Sequence, residues 1–396
     1  MKIEIKAQKL SIFLFQCAYI ANVVLGSDPV LYIYSKIVML AFWGSVLLYI
    51  ATELHFQVKI GAGFLLPMAF TFFCAASCLW AVNKEYAFFK MTTQWQLFLL
   101  FVFAYILLRQ IGDIEPYFKA IYLSGFALLA LTLYRYGLSG FISQMMSGVR
   151  MGGKIGNQND FGMAFSMALI IAFYYYLKGK RIIHFVSIAI FLVFALSSGS
   201  KKALLMCIAG VIGLSIFYYG FHRIWKTILA VAVVAVVGYF LIQLPLFSVI
   251  NERITSYFSG DLNVSDMNRM RFIEEGLLLI KERPILGWGL ANFAYVSGEG
   301  VYSHNNFIEV WVSTGIVGFL VYYSMYAISV WTVIPRFLYR KEVSMIVVLM
   351  ILLIDLVFGY GMVQYETKNT WLFFAVMMAI VDERQIDEGE IAHDAE

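Results

Sequence analysis

The sequence predicts an all-α polytopic membrane protein, on three observations. Hydrophobic residues fill 61% of the 396 positions and charged residues only 14%, far from the balance of a soluble domain. Several apolar runs reach or approach the roughly 20 residues needed to cross a bilayer. The runs are continuous, whereas the strands of a membrane barrel, the other spanning solution, are short and alternate in polarity.

About twelve spans are predicted, approximately at 10–25, 30–51, 64–82, 88–108, 117–136, 161–177, 182–196, 203–219, 224–243, 305–334, 343–361 and 370–381. The first follows Lys2, Lys6 and Lys9 and imitates a signal peptide. No small-residue cleavage site follows it, so it reads as an uncleaved helix. The tenth is longer than a bilayer requires, which implies tilt or a partly buried or re-entrant start. Cys17, Cys74, Cys78 and Cys207 lie inside apolar runs without metal-ligand spacing and read as small core residues.

Cation placement sets the orientation. With the N-terminus inside, the inner segments carry Lys59, Arg109, Lys178, Lys180, Arg181, Arg223, Lys226, Arg336, Arg340 and Lys341, and the short outer loops are poorer, as the positive-inside rule requires. Lys201-Lys202 is the exception. Residues 1–381 are thus read as one transmembrane domain, with 382–396 a disordered, solvated acidic tail on the cytoplasmic side. Two outer loops are long, 137–160 and 244–304. The larger contains DMNRMRFIEEGLLLIKER, an amphipathic pattern expected to lie as a helix at the membrane surface.

The net charge of +4 is small and gives no sign of a nucleic-acid partner. The candidate chemistry gathers on the outer side. Lys201 and Lys202 stand in LSSGSKKALL, a Ser/Gly turn opening a helix, where backbone N–H groups and cations together suit an anion. Snorkelling to the interface is the plain alternative. Arg269 and Arg271 begin the amphipathic helix and suit bidentate phosphate recognition, or simply a solvated face. Arg150 and Lys154 read as ordinary loop charges. His304, followed by Asn305 and by Glu309 just over a turn later, can take a proton from a hydroxyl or serve as an interfacial cap. Glu309 either orients the imidazole, pairs with a lysine, or is structural. Asp355 is a second costly intramembrane carboxylate, with no partner evident from the sequence.

No P-loop, dinucleotide fingerprint or metal-ligand cluster occurs, so no cofactor or metal is expected. An outward-facing transferase has no nucleoside triphosphate to hand and needs a donor that arrives activated. A lipid-linked diphosphate sugar fits, because cations would stabilise the charge growing on its leaving group.

Three blocks in order, GNQNDFGMAF, SSGSKKALL and the array from Arg269 through Pro284, Gly287 and Gly289 to HNNFIE and TGIVG, resemble the O-antigen ligase and O-antigen polymerase superfamily of bacterial surface-polysaccharide enzymes. They cover about 156–318; the first five spans and the tail match in hydropathy alone. The resemblance implies about twelve helices in the bacterial cytoplasmic (inner) membrane, with the active site on the extracytoplasmic face. It implies a metal-independent, inverting transfer of an oligosaccharide from a polyprenyl diphosphate carrier to a glycan acceptor. A chain-length regulator and a flippase are implied as partners besides the membrane lipids. The family's turn cation falls on Lys201, its loop arginine on Arg269 and its histidine on His304. Lys201 departs from the usual arginine, which leaves Lys202 as an alternative, and Arg271 is a near neighbour of Arg269. Polymerase is the favoured reading, ligase the close alternative. A flippase or transporter, which would suit Glu309 and Asp355, is the reading from another class; charge concentrated on one side and the lack of a half-to-half repeat stand against it.

Overall fold

The structure, a computed structural model, describes residues 2–28, 30–53, 57, 60–147, 149–220, 225, 228–229, 232, 236, 240, 243–244, 255, 264–340 and 342–393. Among these, every regular element is a helix. They are α1 (Lys2–Leu25), α2 (Tyr32–Thr52), α3 (Ala62–Ser77), α4 (Lys84–Ile111), α5 (Glu115–Met146), α6 (Gln158–Gly179), α7 (Ile182–Ser197), α8 (Lys201–Tyr219), α9 (Val264–Glu282), α10 (Phe293–Val296), α11 (Asn306–Arg340), α12 (Val343–Gly359) and α13 (Lys368–His393). Within the described residues, seven helices are long and apolar enough to cross a membrane by length and composition, namely α1, α2, α4, α5, α6, α8 and α11. Shorter apolar helices are α3, α7 and α12. The predicted ninth span, 224–243, and the start of the large loop, with Lys226 and Asp261, lie almost wholly outside the described residues, as does Lys341.

The chain divides into two compact units, Met1–Ser45 with Glu115–Asp261 and Val343–Ile351, and Val46–Ile114 with Leu262–Glu342 and Leu352–Glu396. In the first, α5 packs on α1 and α6, and α6 packs on α7 and α8. The core around Phe165, Phe191 and Phe194 is fully or nearly fully buried. In the second, α13 packs on α3, α4 and α11, α3 packs on α4 and α11, and α9 packs on α11.

Helix ends follow local sequence. Asn83 caps α4 by accepting from the Tyr86 N–H at 2.9 Å, and Gly112 closes it in the left-handed region at φ 59°. Both are standard chemistry for the orphan groups of a helix terminus. In α5, Gly137 (φ 66°, ψ 162°) interrupts the helix. Residues 138–146, expected to be loop, form a further short helical piece beyond it.

The predicted tenth span is not a single continuous helix. Gly315 sits at φ 63°, ψ −172° inside α11, and the chain reverses there. Asn306 Nδ2 donates to Tyr323 Oη at 3.0 Å, Phe307 stacks on Tyr323 at 4.9 Å, and Trp311 meets Phe319 at 4.9 Å. A straight helix would hold Asn306 and Tyr323 about 25 Å apart. Residues 306–314 and 316–340 are therefore two helices folded back on each other.

The backbone groups freed by this break are taken up by the preceding strap. The N–H groups of Trp288 and Gly289 donate to the carbonyls of Val312 (2.7 Å) and Ser313 (3.0 Å), and the Ile316 N–H donates to Pro284 O at 2.8 Å. A Cβ on Gly315 would lie 2.1 Å from Ile285 O, and one on Gly287 2.5 Å from Gly315 N. Both glycines also need positive φ. Pro284–Gly289 and Gly315 are thus one interlocked feature.

The helix ends of the second unit are tied together in two groups. At one end, the Asn83 N–H donates to Asn292 Oδ1 at 2.7 Å and the Leu290 N–H donates to Ser77 Oγ at 3.1 Å. At the other, Asp382 accepts from the Gly63 and Phe64 N–H groups at 2.8 and 3.2 Å and from Tyr105. Asp382 is only 2% exposed, and α13 continues to His393. This corrects the expectation at Asp382, which is a buried cap for α3, and the disorder expected of the tail, whose backbone is helical as far as His393. Asp355 also gains its partners, accepting from Tyr326, from Gln364 Nε2 at 3.0 Å and from Thr370 Oγ1 at 3.2 Å.

Gly315→Ala is expected to destabilise the protein by about 2–4 kcal/mol, combining a left-handed backbone penalty with a steric clash. Gly44→Ala, in α2 with open space around it, is expected to be neutral or slightly stabilising. Thermal unfolding of the two variants in detergent checks this; equal midpoints would remove the interlock.

Candidate functional site

The candidate residues divide between the units. Lys201 and Lys202 belong to the first; Arg269, Arg271, His304, Asn305 and Glu309 belong to the second.

In the first unit, the SSGS turn and the GNQND segment form one built corner. Gly199 turns at φ 60°, and Ser200 caps α8 by accepting from the Ala203 N–H at 3.4 Å. Lys201 and Lys202 are thereby placed in the first turn of α8, both half-buried, where the helix presents its positive end. Lys202 lies within electrostatic range of Asp160. Gly162 brings α6 against this turn: a Cβ there would stand 2.3 Å from Ser198 Oγ. Arg150 is no ordinary loop charge. Its Nε donates to Ser198 O and its Nη2 to Asn159 Oδ1, both at 2.8 Å, so it ties the two sequence blocks together. Lys154 is exposed, with its ammonium 4.9 Å from the centre of the Tyr136 ring.

Nearby, Asp28 caps α2. Its Oδ1 accepts from the Val30 and Leu31 N–H groups at 2.9 Å and its Oδ2 from Arg135 Nη2 at 2.6 Å. The Leu31 N–H above all, with help from Val30 and Arg135, holds this carboxyl below its usual range against the opposing effect of burial.

In the second unit, α9 presents one face to residues 306–314. Phe272, Leu279 and Ile280 join Ile308, Val312 and Phe293 in a buried cluster. Gly276 allows the approach, since a Cβ there would lie 2.1 Å from Ile308 Cγ2. The expected surface helix is therefore packed on protein along this face. Its other side still exposes Met267, Met270, Leu277 and Leu278.

The helical period separates the two arginines. Arg269 precedes Phe272, Gly276 and Ile280 by three, seven and eleven positions, which puts it on the inward face, and it is half-buried. Arg271 is exposed and pairs with Glu299 Oε2 at 2.7 Å, with its guanidinium carbon 5.7 Å from the centre of the Phe272 ring.

His304 occupies an elbow immediately before the 306–314 helix, at φ 54°. Histidine, asparagine and aspartate populate this left-handed region more than other side chains do. Its ring stacks on Phe272 at 5.9 Å and 16° and meets Tyr302 at 4.2 Å. Asn305 Oδ1 accepts from the Phe307 and Ile308 N–H groups at 2.9 and 3.1 Å, so Asn305 is the cap of this helix. Ser303 Oγ donates to Asn305 O at 2.8 Å, and the Ser303 N–H donates to Glu309 Oε2 at 2.8 Å. Glu309, 2% exposed, thus holds the backbone one residue before the imidazole.

Sequence reasoning missed two neighbours of Glu309. Lys90 Nζ pairs with Glu366 Oε2 at 2.6 Å, and both lie within electrostatic range of Glu309. An ionisable residue inside the predicted fourth span was the available signal for Lys90, the same criterion that singled out Asp355. Glu366, in the loop before α13, carried no such mark.

Asp28→Asn is expected to lower thermal stability most near neutral pH. A depressed carboxyl contributes above its unfolded value, about 3.9, and loses that contribution as pH falls through the folded value. The stability gap between wild type and variant should therefore narrow below about pH 4; a gap constant from pH 7 to 3 would contradict this.

A family model described as O-Antigen ligase (Wzy_C) matches residues 186–323. This range takes in the SSGSKK turn, α9, the strap, the His304 elbow and the Gly315 break. The match supports the resemblance to the O-antigen ligase/polymerase superfamily. No curated protein matches the chain.

Proposed function

With residues 186–323 matching an O-antigen ligase/polymerase-type membrane enzyme, we propose that this chain is a metal-independent, inverting glycosyltransferase of the bacterial inner membrane. It polymerises oligosaccharide repeat units carried on a polyprenyl diphosphate, working on the extracytoplasmic face through about twelve spans. Ligase activity, with the same donor and a lipid A-core or other acceptor, is the alternative. The observation that carries the reading is the inward face of α9, which bears Arg269 one turn from Phe272, the ring stacked on His304.

In this reading the donor diphosphate is held by Arg269 and by Lys201, with Lys202 assisting. His304 takes the proton of the acceptor hydroxyl. The hydroxyl oxygen attacks the anomeric carbon from the face opposite the diphosphate, the C–O bond to the carrier breaks, and the polyprenyl diphosphate leaves with the bonding electrons. Preorganised cations supply stabilisation where charge grows on the leaving group, and removing one such donor commonly costs about 10²–10³ in rate. Arg269 is the stronger of the two arginine candidates. Arg271 is an exposed ion-paired side chain, a class worth about 0–1 kcal/mol.

His304→Asn, which tolerates the left-handed elbow, is expected to abolish transfer in liposomes supplied with lipid-linked repeat units, at unchanged expression. Arg269→Ala is expected to lose donor binding and at least about 10²-fold in rate, and Arg271→Ala to lose much less. Lengthened lipid-linked product indicates polymerase; product only on an added lipid A-core acceptor indicates ligase. Full activity of His304→Asn, or lipid movement without new glycosidic bonds, defeats the proposal.

A further inference from the structure

The start of α4 and the loop before α13 bring together polar groups that the transfer chemistry above does not use. Lys90 in α4 pairs with Glu366 in that loop at 2.6 Å, and solvent still reaches both side chains, at 24% and 20% exposure. One turn further along the same face of α4 stands Gln94, 1% exposed. Its Nε2 has no hydrogen-bond partner among the described residues. Next to Glu366 in sequence stands Tyr365, also 1% exposed; its Oη lies near Ser313 but makes no hydrogen bond of ordinary geometry. Each partner of the ion pair thus has a buried, unmet polar group beside it. In an apolar setting such a group carries a desolvation cost that nothing within the protein offsets. Native structures keep few of them, and an external partner is one reason to do so.

An aromatic ledge adjoins the pair. The Asn83 N–H donates to Asn292 Oδ1 at 2.7 Å, which ties the start of α4 to the start of α10. Tyr86 and Tyr295, one turn past these two residues, therefore meet, with ring centres 5.3 Å apart. The Lys90 ammonium stands 5.6 Å from the centre of the Tyr86 ring, and Tyr295 is 50% exposed. A sugar ring offers apolar C–H faces and hydroxyls that both donate and accept. The faces suit the tyrosine rings. The hydroxyls suit an ammonium beside a carboxylate, through charge-assisted bonds, and deeper in an amide and a phenol. A phosphate would instead meet Glu366 as a like charge, and an acyl chain would leave the amide unmet. Tyrosines enriched at a membrane interface account for the ledge alone, not for the buried amide.

We propose that Lys90, Glu366, Gln94 and Tyr365, with the Tyr86–Tyr295 ledge, form a subsite that holds one sugar ring of the oligosaccharide repeat unit. The inference rests on the glycan-transfer reading above and deepens it. The cations assigned there hold the diphosphate; this subsite holds the glycan itself. Gln94 Nε2 and Tyr365 Oη donate to oxygens of the ring, and the ion pair exchanges hydrogen bonds with its hydroxyls.

The probe is the oligosaccharide repeat unit freed from its polyprenyl diphosphate by mild acid, so that a diphosphate clamp contributes nothing. Saturation-transfer NMR with the full-length protein in detergent reads its dissociation constant. Gln94→Leu and Tyr365→Phe remove the two unmet groups at nearly constant volume. Each is expected to weaken binding by about threefold to tenfold, and to raise KM for lipid-linked repeat units with little change in kcat. Tyr295→Ala is expected to weaken binding by a similar factor. Gln94→Leu should at the same time leave the thermal midpoint equal or higher, because it removes a buried amide whose bonds are unmet. An amide with a purely structural role, or one met by a trapped water, gives the reverse: a lower midpoint and unchanged binding. That pattern overturns the subsite, as does a wild-type protein that shows no saturable binding of the freed oligosaccharide at millimolar concentration. Binding without any transfer in liposomes defeats the proposed function and leaves the subsite standing. Normal transfer, with binding unchanged in Gln94→Leu and Tyr365→Phe, defeats the subsite and leaves the function standing.

Discussion

The exchange of backbone hydrogen bonds between Pro284–Gly289 and the break at Gly315 is the constraint on which the second unit depends. A helix interrupted in an apolar setting leaves carbonyls and N–H groups that cost several kcal/mol each if unmet. Here the strap meets them on both sides of the break, and it can approach only because Gly287 and Gly315 lack side chains. The same interlock fixes which way 306–314 points, and so where the His304 elbow stands.

The elbow is then shaped by short-range chemistry. Asn305 caps the folded-back helix, Ser303 links cap and carboxylate, and Glu309 closes the circuit from below. From the side, α9 comes in over Gly276 and delivers Phe272 to the imidazole. The first unit builds its own corner by the same means: a small residue at the approach, Gly162, a serine cap, and one guanidinium, Arg150, spanning two segments of loop. In both places glycine supplies proximity and a polar side chain supplies the lock.

Much of this was legible in the sequence. The helical class followed from hydropathy, because only helices make such runs without alternation. The Ser/Gly turn at Gly199 and α9 followed from residue types whose local preferences are strong, whereas the cap at the His304 elbow is Asn305 and not the histidine. The fold-back of α11 was legible only as one alternative, a re-entrant start to an overlong span. Residues 306–314 and 316–340 are both apolar, so hydropathy sums them into one overlong span; the excess length and the STGIVG sequence were the only traces. The resemblance already favoured Arg269 over its neighbour Arg271; the phase of α9, fixed by Gly276 facing Ile308, separates the two physically. The partners of Asp355 and Asp382 are remote in sequence, and no local pattern encodes them. Asp382 was misassigned because composition marks 382–396 as acidic, while its first member is claimed by a helix that starts more than three hundred positions earlier.

That distant cap has a consequence for biogenesis. The Gly63 and Phe64 N–H groups of α3 donate to Asp382 in α13, 319 positions beyond Gly63. During synthesis, more than three hundred residues follow the start of α3 before Asp382 can seal this end. The second unit is assembled from separated stretches and cannot close in the order in which it is made. The seam at the start of α3 therefore stays open until α13 arrives to close it.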